Sequence, residues 1–179
     1  MSKKTKGPFI PLNAAVLTVS DSRTRDNDSS GDIIQERLET AGHKVVNRLI
    51  LKDDLEALRA QCRAWVADKN IDVIISTGGT GLTQRDVTPD AIAPLITKPI
   101  PGFGELFRLL SYEEIGTSTI ESRALGGVAE GTLVFCLPGS SGACRLGMEK
   151  IILPQLNSTT APCNLTALLP RIRHDPAPM

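Results

Sequence analysis

Three short runs in this chain are apolar almost from end to end and rich in β-branched residues: NAAVLTVS at 13–20, IDVIIS at 71–76 and TLVFCL at 132–137. A strand with one wet face alternates apolar and polar residues, whereas a run apolar on both faces suits a strand covered on both sides. Between these runs the apolar residues recur at helical spacing. Ile33, Ile34, Leu38 and Ala41 form one such face, and Leu55, Leu58, Cys62, Trp65 and Val66 another. A weaker strand is expected over His43 to Leu51. Further helices are expected after Thr88-Pro89-Asp90, through Leu106 to Leu110, and through Leu146 to Ile152. Alternation of this kind specifies an α/β fold, a three-layer sandwich with a mostly parallel central sheet. Residues 9–170 are expected to form a single domain, with 1–8 and 171–179 as flexible tails.

Composition removes several functional classes. Twenty Lys+Arg balance twenty Asp+Glu, and the aromatic residues are Trp65, Tyr112 and four Phe. A nucleic-acid binder needs a basic excess against phosphate and rings on which bases stack, and this chain offers neither. No apolar run approaches the ~20 residues of a membrane helix. Three Lys in Met1–Gly7 have no apolar segment behind them, so no secretory signal is read there. A cytoplasmic location is expected. Cys62, Cys136, Cys144 and Cys163 form no Cys-x-x-Cys pair and are expected to be free, mostly buried thiols. His43 and His174 are the only imidazoles, which argues against Ser-His-Asp or Cys-His catalysis and against a His-rich metal centre.

In parallel sheets the ligand crevice lies at the carboxyl ends of the strands. Four segments leave those ends: 21–30, 52–54, 77–86 and 138–142. Thr77-Gly78-Gly79-Thr80-Gly81 has the glycine density that lets backbone amides approach an oxyanion. It lacks the Gly-Lys-Ser/Thr of a P-loop and has Gln84 where a dinucleotide fingerprint needs glycine. Asp86 stands at the mouth of the same crevice. A carboxylate beside bound phosphates is repulsive unless Mg²⁺ bridges them; the other reading pairs Asp86 with Arg85 or makes it a helix cap. Asp53 and Asp54 end the second strand, and either suits the cap of the next helix. Pro138-Gly139-Ser140-Ser141 opens a helix, as an anion site or through ordinary capping by Ser140 or Ser141. Ser29 or Ser30 is expected to cap the first helix and Thr88 the third. Arg123 is read as reaching a phosphate, a neighbouring subunit or solvent.

The residues 76–92 (STGGTGLTQRDVTPDAI), 101–107 (PGFGELF), 117–124 (TSTIESRA) and 137–140 (LPGS) resemble the molybdenum-cofactor biosynthesis family that includes MogA and MoaB. Asp28-Ser29-Ser30-Gly31 is similar to that family's first-loop Asp-x-Ser-Gly, and the likeness covers about residues 10–165. The segments 102–116 and 154–164 look most like the MoaB branch. The resemblance implies a parallel-sheet fold assembled as trimers, or hexamers built as dimers of trimers. It implies binding of molybdopterin, and in catalytically competent members transfer of AMP from Mg-ATP to the terminal phosphate with release of pyrophosphate.

Carried onto this chain, Thr77, Gly78, Gly79, Thr80 and Gly81 would line the substrate site. Pro138, Gly139 and Ser140 would complete it, and Asp86 and Asp53 would be the catalytic, Mg²⁺-holding acids. Adenylylating members often have Pro before the acids that follow the second strand, where this chain has Lys52. Two further functions share the fold: a non-catalytic molybdopterin carrier, and a nucleotide-phosphate hydrolase similar to the competence-damage protein domain. An apolar group around Phe103, Phe107 and Leu110 fits either a subunit interface or the core.

Overall fold

The computed structural model describes residues 7–174. Six strands form one sheet in the order β2-β1-β3-β6-β5-β4. The strands are β1 (Asn13–Val19), β2 (Lys44–Leu51), β3 (Val73–Thr77), β4 (Lys98–Pro99), β5 (Leu125–Ala129) and β6 (Thr132–Leu137). β2, β1, β3 and β6 run parallel, and β5 and β4 add an antiparallel edge. Period-two alternation sends the two faces of each central strand into separate cores. Ala14, Val16, Val73, Ile75 and Phe135 pack with α1 (Ser29–Thr40) and with Phe103 and Phe107 of α4 (Pro101–Ile115), helices numbered in chain order. Ala15, Leu17, Ile74, Val134 and Cys136 pack with Leu58, Cys62 and Trp65 of α2 (Leu55–Ala67) and with Ala91 and Ile92 of α3 (Thr88–Ile92). The result is the expected three-layer sandwich. Phe103 and Phe107 belong to the core, not to the surface.

Several local expectations need correction. The cap of α1 is Asp28, whose carboxylate accepts from the Gly31 amide at 3.0 Å, in place of Ser29 or Ser30. α3 is capped by Val87 without a side-chain bond, and Thr88 is already helical. α4 begins at Pro101, ahead of the span expected through Leu106 to Leu110, so Gly102 and Gly104 lie inside the helix. Proline suits that first position because its missing N–H would have no intrahelical partner. β5 has the sequence LGGVA, and its glycines hide the strand from a propensity reading. Gly126 is required there because a Cβ would press on the Phe135 and Phe103 rings, at 2.9 and 3.0 Å.

After β6 the chain forms α5 (Ser141–Gly147), a π-helical turn over Met148–Ile152 and a last turn α6 (Leu153–Leu156). A final helix, α7 (Leu169–His174), runs past the expected domain boundary. It is tied back by Arg173, which donates to Asp72 Oδ1 at 2.7 Å and to the Gly131 carbonyl at 3.2 Å. The tail expectation for 1–6 and 175–179 lies outside the described residues. Among the described residues no helix is long and apolar enough to cross a membrane.

Candidate functional site

The carboxyl ends of β1, β2, β3 and β6 open into a pocket of about 500 Å³. All ten sequence-predicted site residues line it: Asp53, Asp86, Thr77 through Gly81, and Pro138 through Ser140. α4 and the following 3₁₀ turn (Gly116–Glu121) supply the opposite wall, including Ser111, Ile115 and Thr119.

The glycine loop is shaped by close packing. Gly78 has φ +94°, and a Cβ there would run into the Val19 carbonyl oxygen. Gly79 has φ +62°, with Asp53 Oδ1 at 2.7 Å and the Thr88 hydroxyl against the place a Cβ would occupy. Both positions need glycine for conformation and for space. The loop is fastened to its neighbours: Gly78 N–H donates to the Leu137 carbonyl at 3.1 Å, and Thr77 Oγ1 to the Pro138 carbonyl at 2.9 Å. Ser30 Oγ donates to the Gly139 carbonyl at 2.8 Å, joining the first loop to the last. Ser140 caps α5 by accepting from the Ala143 amide at 3.2 Å, which settles the choice between Ser140 and Ser141.

The two adjacent acids after β2 divide their labour. Asp54 caps α2, accepting from the Ala57 amide at 2.9 Å, and Asp53 is thereby left to face the pocket. Burial, then the like charge of Asp86, pushes the Asp53 carboxyl above its ordinary value. Asp86 is shifted the other way, chiefly by the Thr83 hydroxyl, which donates to its Oδ2 at 2.6 Å. Neither alternative for Asp86 holds: Arg85 pairs with Asp21, and α3 has no side-chain cap. Two carboxylates of unlike affinity for protons therefore share one crevice. No group of three or more His, Cys, Asp or Glu suited to a metal exists among the described residues. A pair of carboxylates fits Mg²⁺, which keeps most of its waters and completes its shell with substrate phosphates.

The sequence marks Asp28 and Arg123 but not the roles in which they support the site. Asp28 is fully buried and accepts from Thr18 Oγ1 at 2.8 Å and Arg48 Nη2 at 2.7 Å, besides capping α1. The Asp28–Arg48 pair, with side chains 1 % and 7 % exposed, locks the first loop onto β2. Arg123 is half-buried and does not line the pocket. Its guanidinium donates to the Gly81 carbonyl at 2.9 Å, to the Thr80 and Asp86 carbonyls, and to Asp90 at 2.9 Å. By taking up those carbonyls it fixes the loop that carries Asp86. No spacing rule marks it, because its partners lie about forty residues earlier in the chain. Burial pushes the Cys144 thiol up to about 11, and those of Cys62 and Cys136 to about 12, which keeps these three protonated. Cys163 is exposed.

A three-layer α/β protein with a glycine loop and an acidic pair at the strand ends is the class that fold and site define. The family described as a probable molybdopterin binding domain matches residues 15–158. The chain belongs to this molybdenum cofactor biosynthesis family. It is 51 % identical over 156 residues to molybdenum cofactor biosynthesis protein B of Escherichia coli K12, covering 87 % of this chain and 92 % of that one. A crystal structure of a molybdenum cofactor biosynthesis protein B superposes with a TM-score of 0.83 at 42 % identity, covering 93 % and 98 % of the two chains. The tungsten cofactor synthesizing protein MoaB from Pyrococcus furiosus superposes at 0.74 with 35 % identity, covering 92 % and 98 %.

Proposed function

We propose that this chain binds molybdopterin in the strand-end pocket and transfers AMP from Mg-ATP to its terminal phosphate, releasing pyrophosphate. The observation that carries this reading is the meeting of the glycine loop 77–81 with Asp53 and Asp86 around one pocket. Such a pocket can hold phosphate oxygens by backbone amides and still carry two carboxylates, an arrangement that suits a divalent cation between acid and phosphate. When bound there, Mg²⁺ would supply neutralising charge at the transferred phosphoryl group, with Asp53 and Asp86 as its protein ligands.

The chain's own groups orient and shield. Amides of Gly79, Thr80 and Gly139 position the pterin phosphate as nucleophile, on a loop that the Gly78 amide ties to the Leu137 carbonyl. The hydrogen bond from Thr83 fixes the Asp86 carboxylate in its ionised form. The wall from α4 limits access of water. No side-chain nucleophile is required, since the substrate phosphate attacks; positioning and charge stabilisation are the protein's contribution. We further propose that the reaction takes place in the cytoplasm, where ATP is supplied. We also propose that copies assemble as trimers or as dimers of trimers through the exposed apolar side chains of α4 and the following turn: Leu106, Leu109, Tyr112, Ile115 and Ile120.

Asp86→Ala tests the role assignment. AMP transfer is expected to fall to background while molybdopterin affinity, read by fluorescence titration, stays within about threefold, or about 0.7 kcal/mol. Loss of binding with unchanged turnover of bound substrate would overturn it.

A further inference from the structure

Beside the strand-end pocket, at the β2 edge of the sheet, lies a second cavity of about 430 Å³. Its ionisable lining is Arg23, Arg25, Arg48, Lys52 and Asp21. Asp21 is paired with Arg85, and Arg48 is committed to Asp28 and Asp32. Arg23, Arg25 and Lys52 form no ion pair among the described residues and are exposed. The cavity thus holds a local excess of positive charge in a chain whose net charge is zero. Its loop is ordered from within. Ser20 Oγ accepts from the Ser22 and Arg23 amides at 3.2 Å, and Arg23 Nη1 donates to the Asn27 carbonyl at 2.5 Å.

Ser20 and Arg23 line both cavities, so the two adjoin. Lys52 lines the basic one and the next residue, Asp53, the acidic one. The strand-end pocket has the opposite balance. Asp53, Asp86 and Glu121 line it, and of its arginines Arg85 is already paired. Phosphates beyond the first therefore find little compensating charge in that pocket and an adjoining cavity rich in it.

We propose that the β2-edge cavity is an oligophosphate subsite, taking inorganic pyrophosphate or the β- and γ-phosphates of a nucleoside triphosphate. Two arginines and a lysine offer both planar donor forks and a point charge, which suits two linked phosphates better than one. The role in the reaction rests on the adenylyl-transfer reading above. A pterin-phosphate oxygen attacks the α-phosphorus and forms one P–O bond. The bond from that phosphorus to the α–β bridging oxygen breaks, and its electron pair leaves with pyrophosphate. One phosphoanhydride replaces another, so no proton or electron need be supplied. The subsite holds the departing group away from the product.

Calorimetric titration of the full chain with inorganic pyrophosphate, and separately with orthophosphate, tests the subsite without any turnover. Pyrophosphate is expected to bind at least tenfold more tightly than orthophosphate. Arg25→Ala combined with Lys52→Ala is expected to weaken pyrophosphate at least tenfold with an unchanged thermal melt, and Arg25→Lys with Lys52→Arg to restore most of it. Absence of pyrophosphate binding, equal affinity for orthophosphate, or equal pyrophosphate affinity in the alanine variant would each overturn the proposal. Absence of adenylyl-molybdopterin in a transfer assay would refute the reaction, and the titration decides the subsite whatever that assay gives.

Discussion

At the scale of single residues, chemistry here depends on which of two similar neighbours is freed for it. Asp53 and Asp54 are indistinguishable as letters, and the cap geometry of α2 selects Asp54, leaving Asp53 to the pocket. Asp86 and the glycine loop were legible because their density of special residues exceeds what a turn requires. The same local logic gives His43 a role that its sequence position conceals. It is buried, its ring lies tilted against Phe9 with centroids 5.2 Å apart, and its Nδ1 accepts from the Leu12 amide at 3.1 Å. Protonation would remove that acceptor, and burial pushes the imidazole pKa below its ordinary 6.5. Above about pH 6.5 the imidazole is neutral in both states and its contribution to stability is complete. As pH falls below that value the unfolded chain takes the proton first, so stability drops until the lower folded pKa is passed. Denaturant melts at pH 7.5 and 5.5 are expected to show a loss that His43→Asn, which keeps an acceptor without titrating, largely abolishes. An identical pH dependence in the variant would contradict this role.

At the scale of elements, the parallel strands were readable because they are buried on both faces and need no context to be apolar. β5 was not, since its Gly126-Gly127 pair is explained only by the Phe103 and Phe135 rings and by the close approach of Ile96 and Lys98. The caps of α1 and α3 were misplaced for a related reason. Asp28 is held by Thr18 and Arg48, ten and twenty residues away, and the Thr88 amide at the start of α3 donates to the Gly79 carbonyl, contacts that no local pattern marks. Arg123 is the extreme case, a single side chain organising a loop from a different part of the chain. A lysine has three donors on a single nitrogen and cannot span the four separate acceptors that the planar guanidinium reaches. Arg123→Lys is therefore expected to lower the local opening free energy of residues 80–86 by about 1.5–3 kcal/mol. The measurement is amide hydrogen exchange, roughly ten- to a hundredfold faster there, together with a raised KM for ATP and little change in global melting. Unchanged exchange across 80–86 would show that Arg123 does not hold the loop.

At the scale of the whole molecule, a neutral chain must hold anionic substrates by local devices, and the structure concentrates these at one edge of the sheet. The glycine loop, the acidic pair and the basic cavity stand side by side at the ends of four strands. On the opposite wall, α4 buries Phe103 and Phe107 and leaves Leu109 64 % exposed, and the turn after it leaves Ile120 78 % exposed. Light scattering of the wild type is expected to give a trimer or hexamer of 19.2 kDa chains. Leu109→Glu with Ile120→Glu is expected to give monomers, and a monomeric wild type would contradict assembly through this face. The account turns most directly on one incubation of the protein with ATP, Mg²⁺ and molybdopterin, with products separated by mass. Adenylyl-molybdopterin and pyrophosphate in equal amounts is the predicted result. Molybdopterin bound but unchanged, or nucleotide cleaved without the pterin, would contradict it.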